Sequence, residues 1–273
     1  MVKHYLTFSG HRFHNTTQRI VEDAPKFGAD KVWVLDDVWL SECRPGYWER
    51  MSWFREHQQC RGVDWFCWKA FVILDTLRNR VDDGDILLFT DADTFPIADL
   101  TPLYDLCARD GVVLFNARGC VNKVWTKRDC FLLMGADEPK YHESWQCVAR
   151  FMLFQKGGKF PAEQFLGQWL GFTANPLINT FDPSVIAPDY PDLREPRCEQ
   201  SVLSNLAVRY GVKLHREACE FGCWDQPEDY PEVPEQYRYG IPHQMFSQVS
   251  GDTYRPGYEG DEFEGSAFRN VET

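Results

Sequence analysis

Asp91 and Asp93 stand one residue apart at the end of the segment Gly84-Asp85-Ile86-Leu87-Leu88-Phe89-Thr90-Asp91-Ala92-Asp93. In an extended backbone, side chains two residues apart point to the same side, so the two carboxylates converge. Two anions at the rim of a fold need a counter-charge. A hard divalent cation held by oxygens suits them, with coordination positions left for water or phosphate oxygens. The alternative is a plain turn, because Asp favours turns and caps.

The elements that must position these acids follow from the hydrophobic pattern. Residues 85–90 form an apolar run bounded by Gly84 and by Thr94-Phe95-Pro96, which predicts a buried strand. Further strands are predicted at residues 4–9, 31–35, 111–115 and 147–155. Helical spacing predicts helices at 47–59, 65–79, 99–109, 162–172 and 198–210. Strand and helix alternate through the first half, the pattern of a mostly parallel sheet with helices on its faces. Ligands bind such sheets at the carboxyl ends of the strands, where Phe8-Ser9-Gly10, Asp36-Asp37 and the Asp91–Asp93 pair all fall. Residues 225–273 are acidic and rich in Pro, Gly and Tyr, with little periodicity. They read as a C-terminal extension that wraps or covers the site of a single domain, residues 1–224.

Composition narrows the function. The chain has 273 residues, 44% of them hydrophobic, enough for a full core. A net charge of −12 argues against nucleic acid or an anionic membrane as the main partner, though a metal-bound nucleotide is compatible with it. The ten cysteines are scattered, and Cys67, Cys107, Cys130 and Cys147 sit inside apolar patterns. Together with an N-terminus lacking a long apolar core, they predict reduced thiols in a cytoplasmic protein. No run is long enough for a transmembrane segment. Cys219 and Cys223 lie near His215, but no second pair at ligand spacing follows, so structural zinc is not expected.

Four pieces, in order, resemble the metal-dependent glycosyltransferases of the GT-A fold with an Asp-x-Asp motif, particularly the bacterial and viral polysaccharide-type members. They are Leu6-Thr7-Phe8-Ser9-Gly10; Arg61-Gly62-Val63-Asp64-Trp65-Phe66-Cys67-Trp68-Lys69-Ala70 leading a helix; the segment from Gly84 to Asp93; and Arg197-Cys198-Glu199-Gln200-Ser201, with a later His243. In outline the resemblance covers residues 4–245. Ala70 departs from it, standing where the family often has Pro, and the chain after His243 matches nothing in the family. The resemblance implies an α/β, Rossmann-like GT-A fold with a mixed, mostly parallel central sheet flanked by helices.

It also implies a reaction. A hexosyl or pentosyl group passes from a nucleoside-diphosphate sugar to an acceptor hydroxyl on a glycan or glycoconjugate, with Mn2+ or Mg2+ neutralising the departing diphosphate, as in polysaccharide biosynthesis. By the family pattern Asp93 ligates the metal, Asp91 meets the ribose or a metal-bound water, and His243 completes the shell, with His215 as runner-up. Lys69 is expected to meet the diphosphate as a point charge; the alternative is a lysine snorkelling over Trp. Thr7, Phe8 and Ser9 are expected to cradle the nucleobase, with Arg12 near the phosphates. Asp36 or Asp37 would accept from base or ribose, the alternative being a helix cap. Glu199 is the first candidate for the base that an inverting transfer needs, against a plain carboxylate favoured by a helix dipole. Asp129 is the second candidate, for base or acceptor contact. The residues leave open inversion or retention, the donor and the acceptor.

Two other classes compete. A different metal-dependent nucleotide-phosphate enzyme would show a Gly-rich phosphate loop, and the only early glycine is Gly10. A non-catalytic carbohydrate-binding module would use aromatic platforms. The ten tryptophans suit that idea, but most fall in helix or strand patterns that read as core.

Overall fold

The computed structural model describes residues 1–9, 14–57, 64–222 and 244–248. A seven-stranded sheet forms the centre. Its strands are β1 (Lys3–Ser9), β2 (Lys31–Asp36), β3 (Ile86–Asp91), β5 (Val112–Val121), β6 (Trp145–Cys147), β7 (Phe151–Gln155) and β8 (Leu214–His215), in the order β2-β1-β3-β7-β5-β6, with β8 also on β5. β1 pairs parallel with both β2 and β3, and β8 pairs parallel with β5. β7 is antiparallel to β3 and β5, and β6 to β5. All but β6 and β7 therefore run in one direction, and the sheet is mixed and mostly parallel.

Helices α1 (His14–Asp23), α2 (Asp37–Cys43), α3 (Pro45–Arg50), α4 (Ser52–Glu56), α5 (Trp68–Arg80), α6 (Thr101–Asp110), α7 (Arg128–Leu133), α8 (Pro139–His142), α9 (Ala162–Thr173) and α10 (Cys198–Arg209) surround it. The period-two rule sorts the core into two layers. On β3, Leu87 and Phe89 join Leu6, Phe8 and Leu35 against α5, α9 and α10. Ile86 and Leu88 join Tyr5 and Val32 against α1 and α6. A strand with helices on both faces is apolar throughout, as residues 86–89 are. At the other end of α6, Gly111 caps the helix at φ 82, and a Cβ there would sit 2.7 Å from the Phe160 nitrogen.

Four expected elements are corrected. Residues 65–79 are not one helix. Asp64, Trp65 and Phe66 all take left-handed φ (51, 51 and 64), and α5 begins at Trp68. The aromatic spacing looked helical because Trp65, fully buried, fills the core from a tight turn rather than from a helix face. The predicted helix at 47–59 divides at Met51 into α3 and α4, and residues 58–59 lie outside the described residues. The apolar run 147–155 is two strands, because its two ends have different partners: Cys147 pairs with Asn116 of β5, whereas Phe151–Gln155 is inserted between β3 and β5. The strand at 111–115 continues to Val121. Within the expected extension, residues 246–248 form β9 (Phe246–Gln248), antiparallel to β4 (Thr94–Pro96) directly after the acidic pair. Gln244 and Met245 lead into β9, and residues 225–243 and 249–273 lie outside the described residues.

Candidate active site

Strand register brings the polar strand ends together. Ser9 of β1 is level with Asp36 of β2, and Phe8 with Asp91 of β3. The crevice above these ends receives two further groups, Lys69 from the first turns of α5 and Glu199 from the first turn of α10.

Lys69 is the hub. It is 3% exposed. Its Nζ lies 2.9 Å from Asp91 Oδ1 and 3.5 Å from Glu199 Oε1, and it donates to Asp91 Oδ2 at 3.1 Å and to the Ala149 carbonyl at 3.0 Å. Burial pulls the ammonium pKa down, but the two carboxylates outweigh it and hold it above the ordinary value. Two acids share this one cation in a desolvated site, and both become harder to ionise. Burial, opposed by Lys69 and reinforced by Asp91, pushes Glu199 up to about 7. Burial, opposed by Lys69 and reinforced by Asp93, pushes Asp91 up to about 6. A carboxyl near 7 suits proton transfer at neutral pH.

Glu199 is fixed from its own backbone. Trp169 Nε1 donates to its carbonyl at 2.8 Å, and Trp169 is fully buried. The next residues anchor the helix start: Gln200 Nε2 donates to Gln146 Oε1 at 2.9 Å and Ser201 Oγ to the Trp125 carbonyl at 2.9 Å. On the Lys69 side, the left-handed run at Asp64, Trp65 and Phe66 sets the entry to α5. Non-glycine residues take that conformation only where their surroundings impose it. Asn179 Nδ2 pins the run by donating to the Trp65 carbonyl at 3.1 Å.

Asp93 lies beyond the strand. Its Oδ1 accepts from Thr94 Oγ1 at 2.9 Å and its Oδ2 from Gln248 Nε2 at 3.0 Å. The Gln248 Oε1 in turn accepts from Arg150 Nη1. Arg150 also holds Asp91, whose N–H donates to the Arg150 carbonyl at 2.7 Å.

Do these residues fit a divalent cation? Asp91 Oδ1 is buried and, despite the nearby ammonium, takes no hydrogen bond. Asp91 is hard to ionise partly because Asp93 is close, and a cation between them would relieve both effects. Among the described residues no three His, Cys, Asp or Glu side chains form a metal-ligand cluster. The acids therefore fit an ion with two protein carboxylates that takes its remaining oxygens from water or phosphate, a habit of Mg2+-type sites.

The other expected residues divide. Phe8 is core, stacked on Trp68 with centroids 4.1 Å apart. Thr7 is buried, with its Oγ1 unpartnered. Ser9 Oγ accepts from Thr17 Oγ1 at 2.9 Å. Asp36 is the cap of α2, its Oδ1 accepting from the Trp39 N–H at 2.6 Å, while Asp37 opens the helix. Asp129 spends both oxygens on a loop, accepting from the Val185 and Ile186 N–H groups at 2.8 and 2.9 Å. Among the described residues no contact joins it to Lys69 or Glu199. His215 sits on β8 beside Phe115, across β5 and β7 from Asp91. Arg12 and His243 lie outside the described residues.

Two residues at the site were missed, Arg150 and Gln248. A lone Arg inside the apolar run 147–155 was the available signal, since a single charge within such a run marks a break. Nothing in the aperiodic stretch around Gln248 points to a strand.

No family model matches the chain, and no curated protein matches it in sequence. Solved structures do. The galactosyltransferase LgtC, in complex with donor and acceptor sugar analogs, is 12% identical over 91% of this chain and 87% of its own, with a TM-score of 0.50. The bifunctional glycosyltransferase WbbM is 12% identical with a TM-score of 0.44, and the matched part is 75% of this chain and only 37% of WbbM. GlyE of Streptococcus pneumoniae TIGR4 is 15% identical over 92% of this chain and 56% of its own, also at 0.44. At such identity the likeness to LgtC speaks for the fold alone, and the fold is GT-A.

Proposed function

We propose that the chain is a metal-dependent glycosyltransferase of the Asp-x-Asp type, moving a sugar from a nucleoside-diphosphate donor to a hydroxyl of a glycan acceptor. One observation carries this reading. Lys69 holds Glu199, a carboxylate near neutral pKa, beside Asp91 at the carboxyl end of β3. A proton acceptor thus adjoins a pair of acids suited to a cation.

Asp93 and Asp91 would hold Mn2+ or Mg2+, which when bound supplies Lewis-acid neutralisation of the diphosphate. In an inverting transfer the acceptor hydroxyl gives its proton to Glu199 as its oxygen bonds to the sugar C1. The C1–oxygen bond to the diphosphate breaks, and its electron pair leaves with the diphosphate. Lys69 stabilises ionised Glu199, and its contact with the Ala149 carbonyl keeps it in register. Residues 1–224 would form the transferase domain, and the remainder would complete or cover the site. The binding-module alternative loses support because Trp65 and Trp169 are fully buried and Trp33 and Trp68 nearly so.

The test is a screen of nucleotide-sugar turnover with Mn2+, with and without glycan acceptors. Metal-dependent release of a nucleoside diphosphate that Glu199→Gln reduces strongly is expected. Turnover unaffected by chelation, or none with any donor, refutes the proposal.

A further inference from the structure

Resting on the reading above, we propose that Arg150 is the cation that grips the donor diphosphate, and that Gln248 holds its place until the donor arrives. Lys69 has no capacity left for a phosphate, since its ammonium is buried and already faces Asp91, Glu199 and the Ala149 carbonyl. Arg150 is different. Its side chain is 28% exposed, and it lies over the Phe221 ring, 4.9 Å from the centroid. Nη1 faces Gln248 Oε1 and lies 3.7 Å from Glu217 Oε1. Among the described residues Nε and Nη2 make no hydrogen bond. Among the described residues one edge of the guanidinium is thus open, and a guanidinium edge matches two phosphate oxygens in bidentate fashion.

Gln248 has the matching polarity. Its amide nitrogen sits 3.0 Å from Asp93 Oδ2 and its amide oxygen on Arg150. The partial positive end occupies the place of a cation on Asp93. The partial negative end occupies the place of a phosphate oxygen on Arg150. A cation–diphosphate unit presents the same two charges in the same order, more strongly, and displaces the carboxamide. Arg150 is tied to the acids by backbone as well, through the Asp91 N–H on its carbonyl, so its head is delivered to the motif from the residue that precedes β7.

The experiment is calorimetric titration of Mn2+ alone, and then of uridine and guanosine diphosphates in saturating Mn2+, into wild type, Arg150→Met and Gln248→Ala. The expected result has three parts. Arg150→Met weakens diphosphate binding at least tenfold, leaves the Mn2+ titration unchanged and melts within a few degrees of wild type. Gln248→Ala binds the diphosphate as tightly as wild type or tighter. Diphosphate binding by Arg150→Met equal to that of wild type overturns the proposal and leaves the transferase reading standing. Tenfold weaker binding by Gln248→Ala overturns the place-holding role. If wild type binds neither diphosphate, both proposals fall together.

Discussion

Replacing Glu199 by Gln should abolish turnover and at the same time stabilise the protein in neutral and alkaline solution. In the folded chain the Glu199 carboxyl keeps its proton up to about pH 7, against an ordinary value of 4.5. The unfolded chain releases that proton near 4.5, so between the two values the folded state binds more protons. Stability then falls as pH rises through that window and is fully reduced above the folded value. At about 1.4 kcal/mol per pH unit, the loss between pH 5 and 8 is on the order of 2–3 kcal/mol. Glutamine keeps the shape of a neutral carboxyl and cannot ionise, so the variant escapes this loss. For a chain of this size that corresponds to roughly 5–10 °C in melting temperature. Urea unfolding of both proteins at pH 5, 6, 7 and 8 in a chelator measures the difference, which contains the Glu199 titration and its coupling to Lys69 and Asp91. The advantage of the variant should grow with pH, with its steepest rise below pH 7. A stability difference flat across the four values would mean that Glu199 is an ordinary solvated carboxylate, and the reasoning that makes it a base would fail with it.

Three further outcomes follow from the same geometry. Lys69→Met leaves two buried acids without their cation and should cost about 3–5 kcal/mol, more at pH 8 than at pH 5, as read by urea unfolding; a pH-independent loss would contradict the shared ion pair. Asp93→Ala should eliminate metal-dependent donor turnover while shifting stability by no more than about 1 kcal/mol, since its carboxylate is half-buried and, among the described residues, bonded to Thr94 and Gln248; full activity would remove it as the metal ligand. Gly111→Ala must force a left-handed alanine against the Phe160 backbone, for about 1–3 kcal/mol, seen as a lower melting temperature with unchanged donor affinity.

The parts of the fold that could be read in advance are those governed by local periodicity. The β3 run, α6, α9 and α10 announce themselves because burial on two faces, or on one stripe, leaves a regular apolar pattern. The acidic pair was legible because a buried strand must end somewhere, and two acids at its end are expensive without a partner. What eluded the sequence depends on contacts between distant residues. Lys69 is helical, as expected, but its partners are 22 residues away at Asp91 and farther still at Glu199, so spacing alone could not assign it to them rather than to a ligand. Asp36 and Asp129 were chosen by residue type and position. Their carboxylates turned out to serve backbone N–H groups, a use that composition cannot distinguish from ligand binding. The left-handed turn before α5 escaped because aromatic residues at helical spacing can reach a core from either geometry.

The pairing of β9 with β4 has a consequence for how the folded chain comes into being. Asp93 and the glutamine that meets it are 155 residues apart. At typical synthesis rates of about 5–20 residues per second, roughly 8–30 s separate their emergence. Through that interval a nascent chain carries its acidic loop with one unpaired edge. The edge of β4 beside the acidic pair therefore stays without this partner until well after the parallel strands β1, β2 and β3 have been made.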